Sequence, residues 1–291
     1  MFKSPIPLSK SQHRALRLTA RRGYAFASEQ TVVPIVMSEA AVAAREYAIV
    51  FPGEGGGVPL VLTGLPPGPC AYVTASGDWL ARYVPAHLRR YPFVLGQPSA
   101  QAAQARAQAA SARAPEAEPD RRYVLQFDEG AAHLSTQEGA PLFDAQGEPT
   151  EVLKKVQGAL LSLQTEYDRT QALVAQLEEV DLLTPVTLRV QPREGDSVAL
   201  SGFRVVDARA FAALEAPALA RLRDSGALML VYAHLLSLHN LRDGVLSWGG
   251  KRREAATAGV LSPGLVGLPE DQSLDFSDID WSKLADNGSK H

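Results

Sequence analysis

Apolar side chains line one face of the longest regular stretch of the chain. Val152, Val156, Leu160, Leu163, Tyr167, Val174 and Leu177 recur at intervals of three, four and seven residues, the spacing of a single helical face. Thr150 suits the N-cap, Glu151 suits the positive end of the helix dipole, and Thr184–Pro185 ends the pattern. A continuous helix there would run about 30 residues and about 45 Å, and a break near Asp168 is the alternative. Packing onto a sheet is the default for such a face. Leu161 and Leu173 on the opposite side leave a homodimer through the helix at 150–183 as the other choice.

Shorter segments read as strands. β-branched and aromatic residues mark 31–37, 48–51, 58–64, 71–75 and 123–127, with a short helix expected over 39–47. Residues 52–57 are a glycine-rich turn without the lysine and Ser/Thr of a phosphate loop, so a hairpin connection is expected. Residues 186–191 and 198–207 form a second hairpin, closed by 192–196. Asp207 then caps a helix through Leu214, 218–224 makes a further turn or two, and 227–241 is an apolar helix buried on several sides. Strands following strands, without βαβ repeats, imply an α+β fold. The expected sheet is mostly antiparallel and packs against the long helix and the buried C-terminal helix. One domain over 1–249 follows from this pattern.

Two stretches break it. Residues 98–119 carry no large apolar side chain and cannot bury enough surface to offset the entropy of ordering, so 98–120 is expected to be a flexible insertion. Residues 250–291 are expected to be a weakly ordered acidic tail, where Asp275, Asp278 and Asp280 alternate with Phe276, Ile279 and Trp281.

Composition narrows the class of protein. The net charge of −3 argues against general nucleic-acid binding. A basic run at 8–22 reads as a solvated arm, since it is short and poorly amphipathic. There is no run of 18 consecutive apolar residues that would make a transmembrane segment, and the first residues lack a signal-type apolar core, so a cytoplasmic location is expected. The single cysteine, Cys70, excludes an intrachain disulfide and reads as a small buried filler.

Candidate chemistry centres on residues 82–93, Arg-Tyr-Val-Pro-Ala-His-Leu-Arg-Arg-Tyr-Pro-Phe. Pro85 and Pro92 push the residues before them toward extended geometry, leaving room for about one helical turn between. Arginine presents a planar fork that fits a carboxylate, so Arg89 and Arg90 can hold an anion. The same composition also suits a structural corner, with the aromatics in the core and the arginines paired. Arg89, four residues after Pro85, is expected to point inward, and Arg90 toward a site or solvent. His234 and His239 lie five apart and do not share a helical face, and no Cys/His spacing supports zinc. His234 in an apolar helix reads as a hydrogen-bonded core histidine. No Gly-x-Ser-x-Gly occurs, and no metal or cofactor is expected. Glu39, Asp128 and Asp144 are the carboxylates available for acid–base work.

Several of these blocks, in this order, resemble the bacterial SapC family. They are Ser9–Lys10, His13–Arg14, Tyr24–Ala25–Phe26, Val33–Pro34, Ser38–Glu39, 47–51, 83–86, 88–93, 141–144, 147–151, 202–207 and 232–238. Ala48 stands where the family usually has proline, and Ala40 where an aromatic is common. Carried over position by position, the resemblance implies a candidate ligand-binding surface of Glu39, Tyr83, His87, Arg89, Arg90, Tyr91, Asp144 and His234. It also implies association with bacterial surface-layer systems, and thus a non-enzymatic component that binds a peptide or protein partner. The alternative is a cytoplasmic enzyme acting on a peptide or amino-acid-like anion, with arginine holding a carboxylate and His87 or His234 as acid–base.

Overall fold

The computed structural model describes residues 1–19, 23–97, 123–193 and 195–248. The expected insertion at 98–120 and the expected tail at 250–291 lie outside the described residues. In chain order the strands are β1 Pro5–Pro7, β2 Arg17–Leu18, β3 Val32–Pro34, β4 Ile49–Pro52, β5 Leu60–Leu62, β6 Phe93–Gly96, β7 Val124–Asp128, β8 Leu134–Ser135, β9 Ala140–Pro141, β10 Leu183–Val190 and β11 Val198–Val206. The helices are α1 Ala40–Ala43, α2 Ala86–Arg89, α3 Glu151–Glu179, α4 Ala208–Ala212, α5 Ala216–Ser225, α6 Ala227–Ser237 and α7 Asn240–Asp243. The fold is α+β, and the strands form three antiparallel sheets rather than one.

The chain divides into two compact units, and among the described residues the larger holds Met1, 23–89 and 163–248. Its five-stranded sheet runs β10-β11-β4-β5-β3. Ile35, Tyr47, Ile49, Phe51, Leu62 and Tyr72 pack there with Leu173, Val174 and Leu177 of α3 and with Leu230 and Val231 of α6. The smaller unit holds 2–19, 90–97 and 123–162, with sheets β1-β7-β6 and β8-β2-β9. Its core joins Phe93, Phe127 and Leu142 to Leu153, Val156 and Leu160 of α3. The apolar face of the long helix thus serves two cores, its first turns one and its later turns the other.

α3 is continuous over 29 residues, with no break near Asp168. Thr150 Oγ1 accepts from the Leu153 N–H at 3.4 Å, the N-cap bond its position suggested. Leu173, one of the two side chains that suggested a dimer seam, is buried in the larger core, and Leu161 is half-buried.

Several boundaries differ from the sequence reading. Pro185 does not stop the helix, which ends at Glu179; it lies inside β10, an edge strand where proline removes no needed donor. Residues 71–75 are not a strand. Val73 makes one isolated bridge to Trp79, while Thr74 Oγ1 and Asp78 close a turn with a 2.9 Å bond to the Asp78 N–H. Buried Cys70, Tyr72 and Val73 imitate strand composition because the segment is core, not because it is extended. Asp207 caps α4 as expected, accepting from the Arg209 and Ala210 N–H groups at 2.8 and 3.1 Å.

Gly226 links α5 to α6 with φ +90°, a left-handed turn that a side chain would strain. That turn sets the direction in which α6 crosses the sheet.

Candidate functional site

Glu39 ends a 3-10 turn, Met37–Glu39, and its side chain folds back into the larger core, only 3% exposed. A buried carboxylate needs several donors. Oε2 accepts from the Val36 N–H at 2.9 Å, and Oε1 accepts from the Ala86 N–H at 2.7 Å and the Tyr83 hydroxyl at 2.6 Å. Ala86 opens α2, so Glu39 satisfies a donor that this short helix would otherwise leave open. Pro85 delivers that N–H by starting the turn.

Arg89 closes the network from the other end of α2. Its Nε donates to the Val84 carbonyl at 3.0 Å, and Nη2 to the Tyr83 hydroxyl at 3.2 Å. The guanidinium lies 5.6 Å from the Tyr83 ring centroid. Tyr83 therefore donates to Glu39 and accepts from Arg89 through one oxygen. Burial pushes the Glu39 carboxyl above its usual range, opposed by the bonds from Ala86, Tyr83 and Val36 and by the charge of Arg89. Burial and the neighbouring Glu39 push the Tyr83 hydroxyl far up, so it remains a donor at any ordinary pH.

Aromatic side chains wall this network. Tyr24 meets Trp79 edge to face at 5.6 Å, and Trp79 stacks on Tyr72 at 5.7 Å. The Trp79 Nε1–H donates to the Tyr47 hydroxyl at 2.8 Å, and that hydroxyl donates to the Tyr83 carbonyl. The wall and the charged network are thus one hydrogen-bonded system.

The second half of the 82–93 stretch repeats the device in the smaller unit. Asp128, 2% exposed, accepts at Oδ2 from the Tyr91 hydroxyl at 2.8 Å. Its Oδ1 accepts from the Ser4 and Lys3 N–H groups at 2.7 and 3.1 Å. Burial first, then Asp128, raises the Tyr91 hydroxyl. Arg90 is half-buried rather than turned to solvent, its guanidinium 5.6 Å from the Phe2 ring, which in turn lies 5.5 Å from Tyr91. The Tyr91–Pro92 peptide is cis.

The remaining sequence candidates lie elsewhere. His87 is half-buried on α2. Asp144 is exposed and closes a turn, Oδ1 accepting from the Gln146 and Glu148 N–H groups at 2.9 and 2.8 Å. His234 is fully buried. β4 and β11 pair Phe203 with Pro52 and Arg204 with Phe51, a register that carried on would set Val206 opposite Ile49. There the imidazole enters instead: Nε2 accepts from the Val206 N–H at 3.1 Å, and Nδ1–H donates to the Ile49 carbonyl at 2.8 Å. These bonds assign the neutral Nδ1–H tautomer. Burial drives its pKa down from 6.5 to about 4, against the pull of the Ile49 bond. One and two turns further on, Ser237 Oγ accepts from the Ile49 N–H at 2.9 Å, and Asn240 Nδ2 donates to the Ala44 and Tyr47 carbonyls, each at 2.9 Å. These three polar groups, set among the buried Leu230, Val231 and Ala233, tie down β4 and the residues just before it.

The outward face of α6 is apolar. Met229, Tyr232 and Leu236, spaced three and four apart, are 48%, 48% and 68% exposed, and Leu219 of α5 is 38% exposed. Tyr232 meets Phe211 of α4 edge to face at 5.8 Å. Sequence reading overlooked this face. An apolar helix reads as buried all round, and the only signal against it was the presence of His234, Ser237 and Asn240 on one side.

Among the described residues no helix is long and apolar enough to cross a membrane. No curated protein and no solved structure matches the chain. A family model described as SapC matches residues 8–243 of the 291, and the chain belongs to the SapC family.

Proposed function

We propose that this protein is a peptide- or protein-binding component of a bacterial surface-associated system, and that it binds through the outer face of α6. The observation that carries this reading is the alignment of Met229, Tyr232 and Leu236 on one exposed stripe. Scattered exposed apolar residues need no explanation, but a contiguous row on a helix is the anchor pattern of helix-mediated recognition. The charged candidates support the reading from the other side. Glu39, Tyr83 and Arg89 spend their hydrogen bonds on one another and on the backbone. His234 bonds to Val206 and Ile49, and Asp144 bonds within its own turn. The surface-layer connection comes from the family name.

The test places a photo-crosslinking amino acid at position 232 of the full chain in its bacterial host. The expected product is a covalent adduct with an identified surface-associated or exported protein. Met229→Lys with Leu236→Lys should remove the adduct while the melting temperature holds. An adduct that survives both lysines would move the binding surface elsewhere, and loss of binding in Arg89→Lys with an intact fold would favour the enzyme reading.

A further inference from the structure

We infer that Arg89 and Tyr24, both in the larger unit, form a binding site for a single carboxylate, a second site that does not rest on the outer face of α6. Among the described residues, two arginines of this unit are half-buried, Arg89 and Arg204. Arg204 is paired with Glu178, whereas Arg89 forms no ion pair among the described residues. Glu39 stands behind the Tyr83 hydroxyl, which donates to it and accepts from Arg89. Burial also makes Glu39 hold its proton more tightly than an ordinary carboxyl does, so it offsets the arginine only in part. A half-buried cation in that state gains from an incoming anion.

The donors are in place. Arg89 spends Nε on Val84 and Nη2 on Tyr83, with the Tyr83 ring beside it, so the guanidinium is fixed before any ligand arrives. Its Nη1 has no acceptor among the described residues and reaches solvent. Tyr24 offers a second donor. Its ring is half-buried, 5.6 Å from Trp79 and 6.0 Å from Phe26, and its N–H donates to the Gly77 carbonyl at 2.6 Å. The Tyr24 hydroxyl, too, has no partner among the described residues and reaches solvent. Burial raises this hydroxyl and the charge of Arg89 pulls it back, so the two groups lie within electrostatic reach of each other. One N–H and one O–H donor match the two oxygens of a carboxylate. A phosphate would leave oxygens without donors and bring a second charge toward Glu39.

The experiment titrates the purified full chain by calorimetry with three probes: acetyl-leucine, its N-methylamide, and acetyl-aspartate N-methylamide. The first carries a terminal carboxylate, the second none, and the third a side-chain carboxylate. At least one of the two acids should bind, and the amide of leucine should bind at least about tenfold more weakly, the loss of a charge-assisted pair. Which acid binds tells a peptide C-terminus from an acidic side chain. Arg89→Lys should weaken the acid by about tenfold or more, since the forked geometry goes with it. Tyr24→Phe should weaken it about three- to tenfold with an unchanged denaturation curve, because this hydroxyl holds nothing in the fold. Binding of neither acid, equal binding of acid and amide, or inorganic phosphate binding as tightly as the acid overturns the inference, as does full affinity in Tyr24→Phe. Met229→Lys with Leu236→Lys should leave the acid's affinity intact. A loss there would put the ligand on α6 and also overturn it, while the host adduct at position 232 tests the α6 surface separately.

Discussion

Glu39 and Asp128 solve one problem twice, once in each compact unit. Each is a buried carboxylate that accepts two backbone N–H groups and one tyrosine hydroxyl. The tyrosines come from the two ends of a single short stretch, Tyr83 before α2 and Tyr91 after it. The division between the units falls between Arg89 and Arg90. The comparison explains the composition of 82–93: its two tyrosines each serve a buried carboxylate, one in each unit. The two sites differ in their cation. Arg89 bonds directly to the tyrosine oxygen that serves Glu39, whereas Arg90 lies over the Phe2 ring beside Tyr91.

Removing the carboxylate is the harshest way to break this parallel. Glu39→Ala strands the Val36 and Ala86 N–H groups, the Tyr83 hydroxyl and the neighbouring charge of Arg89, and should cost about 3–5 kcal/mol in chemical denaturation. Asp128→Ala strands the Lys3 and Ser4 N–H groups and the Tyr91 hydroxyl and should also cost about 3–5 kcal/mol. A loss under about 1 kcal/mol in either variant would show that its carboxylate does not hold the unit together.

A buried histidine tests the same logic with the opposite sign. His234 has a folded pKa of about 4 against an ordinary 6.5. The unfolded chain therefore binds the extra proton between these values, and stability should fall as pH drops from about 6.5 through about 4. The total is about 3 kcal/mol at about 1.36 kcal/mol per pH unit. Glu39, whose carboxyl is raised, is held protonated more readily in the fold than out of it, so its contribution falls instead as pH rises above the ordinary carboxylate range. Thermal melts across pH 4–7 check both slopes. His234→Gln should flatten the lower-pH loss, and an unchanged slope would assign it to another group.

Smaller changes separate the hydroxyls and the cations. Tyr83→Phe and Tyr91→Phe should each cost about 1–3 kcal/mol, with Tyr83 the larger because its oxygen serves both Glu39 and Arg89. Arg89→Lys should cost about 1–2 kcal/mol through loss of the forked bonds to Val84 and Tyr83. Arg90→Lys should cost about 0.5–1 kcal/mol, the scale of a cation–π contact. A reversed order of the two lysine variants would undo the distinction between the sites. Met229→Lys with Leu236→Lys should change stability least, within about 0.5 kcal/mol, as for exposed positions generally.

The chain's own periodicity determined α3, the hairpin β10–β11 and the cap at Asp207, because each follows from neighbours a few residues apart. Helical spacing, turn residues between apolar runs and a side-chain oxygen two residues from an N–H are local quantities. Periodicity also identified α6 as apolar. It could not show that the buried face of α6 carries His234 and Ser237 beside Leu230 and Val231, with Asn240 of α7 buried beyond them, while Met229, Tyr232 and Leu236 lie outside. That depends on β4, whose Ile49 lies 185 residues away from His234 and offers the N–H and C=O groups that make polar side chains favourable on a buried face. The cluster at Glu39 was legible only as a set of candidate residue types. Its convergence required Ala86 and Tyr83, 47 and 44 residues on, to be brought against a 3-10 turn. Which core each turn of α3 enters, and why Cys70, Tyr72 and Val73 are buried without being a strand, were likewise decided by tertiary packing. Burial and long-range hydrogen bonding are properties of the folded arrangement, and the local sequence holds only the side chains able to take part.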